Sequence, residues 1–250
     1  MRLLRRVFYF FGYELISTRK SPTLYSHLEN IFKLYRIDVV LDVGANTGQF
    51  ATLIREMGYR GDIYSFEPVS KTFDTLSKAA VNDKNWHVYK LGLGDRQSQA
   101  SINISKSSDL CSILSPSEFG KSSFPKIEVS EKEVIDIDTI DNFCLRRNIQ
   151  AEASIFLKMD TQGYDVNVFK GAENTVKNIS AMLSELSMIP IYENSTSYID
   201  SLAIYEGKGF RISGIYPVSK CPNLSVIEMD CVLVNAGREN VSWVSHKVDS

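Results

Sequence analysis

Apolar residues along the chain fall into short β-branched runs separated by segments of helical period, an alternation that predicts an open α/β sheet. Val39, Val40, Leu41 and Val43 form the first run, of the kind found in a parallel strand covered on both faces. Phe50, Leu53, Ile54 and Met57 then recur at i, i+3, i+4 and i+7, one apolar helix face, and Gly58 supplies a stop. Residues 63–68 predict a second strand that ends in the acid Glu67, and residues 70–80 a helix with Ser70 as N-cap and Phe73, Leu76 and Ala80 facing inward. Residues 86–93 alternate as a third strand that ends in Gly92-Leu-Gly94-Asp95. Residues 105–126 lack period and are rich in Ser, Pro, Gly and Lys, which predicts a long loop over the carboxyl edge. Beyond it come one or two strands at 127–135, a helix capped by Thr139, strands at 154–160 and 181–187, a helix at 198–207, and strands at 210–216 and 229–234 around a turn-rich hairpin segment. Ahead of all these, residues 23–35 form an amphipathic helix on which His27 is a packing residue.

The chemistry concentrates where strands end. The first strand, a glycine turn and a helix place backbone N–H groups and a helix N-terminus at the carboxyl edge of the sheet, where such folds bind ligands. Asp42, Gly44, Ala45, Asn46, Gly48 and Phe50 are therefore candidate cofactor residues. The G-x-G-x-x-G dinucleotide pattern fails: counted from Gly44, its second and third glycine positions hold Asn46 and Gln49. Asp42 would repel a diphosphate and suit a ligand carrying an ammonium group, as S-adenosylmethionine does. The P-loop sequence is absent from the chain. Glu67, about 20 residues after the turn, is placed to accept hydrogen bonds from ribose hydroxyls, and Pro68 stops its strand. Gly94 and Asp95 are secondary candidates, at a strand end that would let a flat adenine lie against backbone.

The strand at 154–160 ends in Asp160, on the same predicted edge, and Glu185 lies near the end of the next strand. The two carboxylates suit a general base and an orienting acid, or with a third oxygen ligand a divalent metal. The metal-free form is expected, because no His supports a transition-metal site. Asp165 starts a helix, where its charge suits the dipole and reads as a cap. Gly163 reads as a backbone position closed to other residues. Ser112, Gln162, Tyr164 and Tyr192 are candidate acceptor contacts, while Ser107, Ser108 and Ser115 read individually as solvated loop residues.

With 250 residues and a net charge of −2, the chain suits one large domain and gives no electrostatic case for nucleic acid. Its four cysteines contain no C-x-x-C pair, which fits a reducing compartment. Residues 1–36 read as a helical extension, 37–236 as a catalytic domain and 237–250 as a tail. The first segment combines Arg2, Arg5 and Arg6 with an aromatic and aliphatic run too short to cross a bilayer. Packing on the catalytic domain is the plainer expectation, and an interfacial helix on an anionic membrane the other. The expected location is cytoplasmic, with peripheral contact at the inner membrane face left open.

Five segments together resemble the FkbM family of S-adenosylmethionine-dependent methyltransferases: residues 41–50 (Leu-Asp-Val-Gly-Ala-Asn-Thr-Gly-Gln-Phe), 65–68 (Ser-Phe-Glu-Pro), 157–165 (Leu-Lys-Met-Asp-Thr-Gln-Gly-Tyr-Asp), 168–172 and 185–187. The resemblance implies a Rossmann-like class I methyltransferase fold, a mostly parallel seven-stranded sheet with helices on both faces and the last strand antiparallel. It also implies S-adenosylmethionine as donor and O-methylation of a hydroxyl on a glycan sugar or secondary metabolite. Two segments that should border the acceptor pocket depart from the family pattern: the serine run is interrupted at 107–112, and residues 222–225 read Pro-Asn-Leu-Ser. With no histidine in a motif, the acceptor proton is expected to go to Asp160 or Glu185. A non-catalytic S-adenosylmethionine-binding module and a nicotinamide-dependent enzyme are the competing readings.

Overall fold

The computed structural model describes residues 2–13 and 21–238. The expected C-terminal tail beyond Arg238 lies outside these described residues. In chain order the helices are α1 (Arg2–Phe10), α2 (Leu24–Leu34), α3 (Gln49–Glu56), α4 (Ser70–Ala80), α5 (Glu118–Ser123), α6 (Ile140–Arg146), α7 (Asp165–Lys170) and α8 (Tyr198–Gly207). The strands are β1 (Val39–Val43), β2 (Asp62–Phe66), β3 (Trp86–Tyr89), β4 (Gly92–Leu93), β5 (Ser98–Ser105), β6 (Val129–Asp138), β7 (Ile155–Met159), β8 (Ile179–Ser187), β9 (Phe210–Lys220) and β10 (Val226–Asn235).

Seven strands form one sheet in the order β3-β2-β1-β7-β8-β10-β9, and β10 runs antiparallel to both its neighbours. The mostly parallel sheet with a reversed last strand that the family resemblance implies is present. Alternation along β1 explains its two buried faces. Val39, Leu41 and Val43 pack with Phe143 of α6 and Phe169 of α7, whereas Val40 packs with Leu28 of α2, Ile54 of α3 and Leu76 of α4. Helix α2 thus belongs to the core, although it falls within the segment expected as an extension. Strand order reverses at β1, which lies between β2 and β7, so the carboxyl ends of β1 and β7 open a crevice at the topological switch point.

Several elements differ from expectation. The third strand stops at Tyr89, where the Leu91 N–H turns back to the Tyr89 carbonyl, and Gly92–Leu93 pair instead with β6 in a separate sheet ordered β4-β6-β5. Residues 98–105 form a strand with no counterpart in the sequence reading, and in place of one or two strands at 127–135 there is one long strand, Val129–Asp138, preceded by a 3-10 turn at Pro125–Ile127. The stretch at 105–126 is folded rather than a plain loop: it carries α5 and packs Leu110, Leu114 and Phe124 around Tyr192 and Ile191. Val69, not Ser70, occupies the N-cap of α4, and Ser70 donates its backbone and hydroxyl hydrogens to Glu133. His27 packs as expected, its ring nitrogens at 2.5 Å from the Tyr216 hydroxyl and 2.8 Å from that of Ser213. Of the described side chains of α1, Tyr9 and Phe10 are 78% and 84% exposed.

Candidate active site

The turn after β1 is built from backbone that only certain residues accept. Gly44 and Gly48 have φ of 72° and 96°, and Asn46 takes a left-handed φ of 48°. A Cβ on Gly44 would run into the backbone carbonyl of Asp160, and one on Gly48 would sit 2.8 Å from the Trp86 ring. Gly44 and Ala45 both donate their N–H to the Phe66 carbonyl, at 3.1 and 3.0 Å. Glu67 completes the lacing, one carboxylate oxygen accepting from the Asn46 N–H (3.0 Å) and the other from the Val69 N–H (2.9 Å). Burial pushes its carboxyl up to about 7 against the pull of those two N–H groups.

A cavity of about 630 Å³ opens at this edge, within the usual range for a small-molecule site. Gly44, Asn46, Glu67 and Pro68 line it at one end. The carbonyl oxygen of the Asn46 side chain is buried with no hydrogen-bond partner, an acceptor that a ligand donor would satisfy. Leu91, Gly92, Leu93 and Ile135 add an apolar wall from the small sheet.

Several expected cofactor residues sit elsewhere. Ala45 and Phe50 pack into the core beside α3, Phe50 against Phe156, and Gly48 serves as the N-cap of α3. Gly94 packs against Ile137 and Tyr164, and Asp95 is exposed beside Arg96. Leu91–Leu93 line the cavity while Gly94 and Asp95 do not, because the strand breaks earlier than its alternation predicts.

Asp42 is the main correction. It is fully buried and does not line the cavity, so the ammonium that its position calls for is internal to the chain: its register partner Lys158 on β7. The Lys158 Nζ lies 3.3 Å from Asp42 and 3.4 Å from Asp160, and donates to the Gly44 carbonyl at 2.7 Å. The other Asp42 oxygen accepts from Ser65, whose own oxygen accepts from the Trp86 indole N–H, both at 2.9 Å. Burial alone would lower the Lys158 ammonium, but Asp160 and Asp42 outweigh it and hold its proton affinity above the ordinary lysine value. One cation therefore fixes the glycine turn and Asp160 together. Its signal in the sequence is a lone charge inside the otherwise apolar run Ile155-Phe-Leu-Lys-Met159.

Asp160 and Glu185 both line the cavity, joined by Gln162. The Gln162 amide donates to Asp160 at 3.0 Å and to Glu185 at 2.8 Å, and its carbonyl accepts from the Tyr192 hydroxyl at 2.9 Å. Gln162 holds a left-handed φ of 54°, a costly conformation for a side-chain-bearing residue, and Ser112 donates to its backbone carbonyl at 2.8 Å. Ser112, Gln162 and Tyr164 line the cavity; Tyr192 stands behind it and aims Gln162. Asp165 is a buried anchor rather than a cap. One oxygen accepts from the Thr161 N–H, the other from the Ser184 hydroxyl and the Glu185 N–H, so it ties the loop after β7 to β8.

Two further acids gather here that nothing local in the sequence singles out: Glu228 lies just ahead of the strand expected at 229–234, and Asp230 lies within it. Glu228 lines the cavity, and Asp230 is the register partner of Glu185. Burial, then Asp160, Glu228, Asp165 and Asp230, raise the Glu185 carboxyl well above the usual range. Burial and Asp160 push Asp230 up to about 6. Ser107–Ser112 borders the cavity as the family pattern implies, whereas the hairpin tip at 222–225 does not and only the hairpin arms, through Val218, Ser219 and Glu228, reach it. Among the described residues, no cluster of three or more His, Cys, Asp or Glu is arranged to hold a metal ion.

The chain matches the model of the methyltransferase FkbM domain over residues 42–212. A comparison with curated proteins finds no match. Solved structures resembling it include fibrillarin from Aeropyrum pernix with natively bound S-adenosyl-L-methionine, at 13% identity and a TM-score of 0.43, covering 79% of this chain and 66% of that one. An rRNA methylase from Streptococcus thermophilus aligns at 8% identity and the same TM-score of 0.43, covering 84% of this chain and 95% of that one. Likenesses this distant carry no functional weight.

Proposed function

Because the chain belongs to the FkbM methyltransferase family, we propose that its cavity binds S-adenosylmethionine and that its reaction is O-methylation of a hydroxyl on a sugar, glycan or secondary metabolite. The observation that carries this reading is the meeting, in one cavity, of an unsatisfied Asn46 acceptor and the Glu67 carboxylate with the Asp160–Gln162–Glu185 bridge. Asn46 would accept from a donor of the bound methionyl or ribosyl part, and Glu67, whose oxygens each keep a free lone pair, from ribose hydroxyls. Leu91 and Leu93 offer a flat apolar wall for the base. When bound, the cofactor supplies an electrophilic methyl group on a sulfonium sulfur.

The chain's own residues then have two tasks, orienting the acceptor oxygen and removing its proton. Positioning can supply several kcal/mol, since effective molarities reach about 10⁵ M or more in well-oriented systems. Glu185 is assigned the proton. Glu185 lines the cavity beside the Gln162 amide, and burial among neighbouring acids raises its proton affinity above that of an ordinary carboxylate, while Asp160 is held beside the Lys158 ammonium and orients the same amide. Asp109, Glu185 and Glu228 along the cavity disfavour a phosphate-bearing acceptor, which supports a neutral hydroxylated one over nucleic acid.

The test is labelled-methyl turnover against a panel of glycosides and hydroxylated metabolites, with Glu185→Gln as control. The expected result is turnover that falls about 10²-fold or more in the variant while S-adenosylhomocysteine binding is retained. Wild-type turnover by Glu185→Gln would remove the base assignment. Cofactor binding without turnover on any hydroxyl acceptor would leave a binding module of the same fold.

A further inference from the structure

The most prominent feature that the reaction does not use is α1. Among the residues through Phe11 and Tyr13, the described side chains Val7, Phe8, Tyr9, Phe10, Phe11 and Tyr13 are 40% to 84% exposed. A run of large apolar side chains left in water marks an interaction surface. At 100° per residue, positions 3, 4, 7, 8 and 10 of the helix fall within an arc of about 160°, while Arg2, Arg5, Arg6 and Tyr9 share the opposite side. Three arginines and no acid precede Glu14, in a chain whose net charge is −2.

We propose that α1 is an interfacial anchor that lies in the plane of an anionic lipid surface, its Leu, Val and Phe side sunk among the acyl chains and its arginines at the headgroups. The chemistry separates lipid from other occupants. Arginine and tyrosine on one side with phenylalanine on the other match the two layers of a membrane interface, where long cations extend to the headgroups and phenolic rings sit between water and hydrocarbon. Pairing with a second copy of α1 would bring like charges together, and no helix among the described residues is long and apolar enough to cross a membrane. Each arginine near an anionic surface contributes about fivefold in partitioning. Contact with the surface would hold the domain where membrane-linked acceptors reside, but the proposal stands without the acceptor assignment.

The experiment is co-sedimentation of the full chain with vesicles of phosphatidylcholine alone or mixed with phosphatidylglycerol, at low and high salt. The expected result is binding to the anionic vesicles at low salt, weakened at least tenfold by salt or by removal of phosphatidylglycerol. Loss is also expected in R2S/R5S/R6S and in F10S/F11S, with both variants keeping the wild-type melting temperature and S-adenosylhomocysteine binding. No sedimentation of the wild-type chain, equal binding to neutral vesicles, equal binding by either variant, or a dimer that F10S/F11S abolishes without any vesicle binding would each overturn it.

Discussion

Replacing Lys158 by Met keeps the volume of the side chain and removes one ammonium that touches three groups: Asp42, Asp160 and the Gly44 carbonyl. The consequences differ by burial. Asp160 is 41% exposed and can rehydrate, so little is lost there. Asp42 is 0% exposed, keeps only the Ser65 hydroxyl, and is left as an uncompensated buried charge. Breaking such a pair from one side costs about 3 to 5 kcal/mol. For a domain of this size each kcal/mol moves the melting point by about 2 to 4 °C, so the variant should melt roughly 6 to 20 °C lower. Circular dichroism or scanning calorimetry at neutral pH gives that number, and Asp42→Asn in the same background tells its origin. Removing the stranded charge should return more than about 1 kcal/mol, although Asp42→Asn alone destabilises. A loss below about 1 kcal/mol for Lys158→Met, or a double variant as unstable as the sum of the singles, would refute the bridge as a coupled unit.

Gly44→Ala should be more damaging than its size suggests, because φ of 72° and the facing Asp160 carbonyl both oppose a Cβ; loss of S-adenosylhomocysteine binding together with a lower melting temperature is expected, and a wild-type affinity would contradict the turn geometry. Asp230→Asn should stabilise the protein at pH 8 by about 1 to 3 kcal/mol. The sign follows from its raised carboxyl: between about pH 4 and 6 the folded state binds more protons than the unfolded state, so wild-type stability falls as pH rises, and the gain should be absent near pH 3. Denaturant titrations at both pH values check this, and a gain equal at both would defeat it. Tyr192→Phe removes the hydroxyl that donates to Gln162, and should cost about 1 kcal/mol in stability and lower kcat with KM for the cofactor unchanged.

Much of this architecture is legible in the residues themselves, and the exceptions share a cause. The switch-point strands β1 and β7 and helix α3 appear because each carries its own apolar pattern and stop signals, and the turn because Gly44 and Gly48 fall between strand and helix, where the structure gives both a positive φ. The small sheet is not legible. Gly92–Leu93 is only two residues long, and β5, although Ala100, Ile102 and Ile104 alternate with polar residues, has a short apolar face that gains its meaning only when β6 and Val69 pack on it. Asp42 reads as a ligand residue from sequence because a carboxylate at that position needs a cation, and nothing local says that the cation comes from more than a hundred residues later, across a register pair. The same holds for Glu228 and Asp230, which reach the site only because the last strand inserts between β8 and β9. Local pattern reveals where chemistry sits on each strand end; which strand ends meet is a property of topology.

A methyl-donor site in the cavity formed by the glycine turn, Glu67 and the β4 segment should take up S-adenosylhomocysteine and reject a dinucleotide. Calorimetric titration of the full chain with S-adenosylhomocysteine, with NAD⁺ in parallel and Glu67→Ala as control, tests it most directly. The expected result is saturable one-to-one binding of S-adenosylhomocysteine alone, weakened at least tenfold in a folded Glu67→Ala, with a melting-point rise of roughly 5 to 10 °C at 100 times Kd. No binding by the folded wild-type chain, or equal binding of NAD⁺, would contradict it.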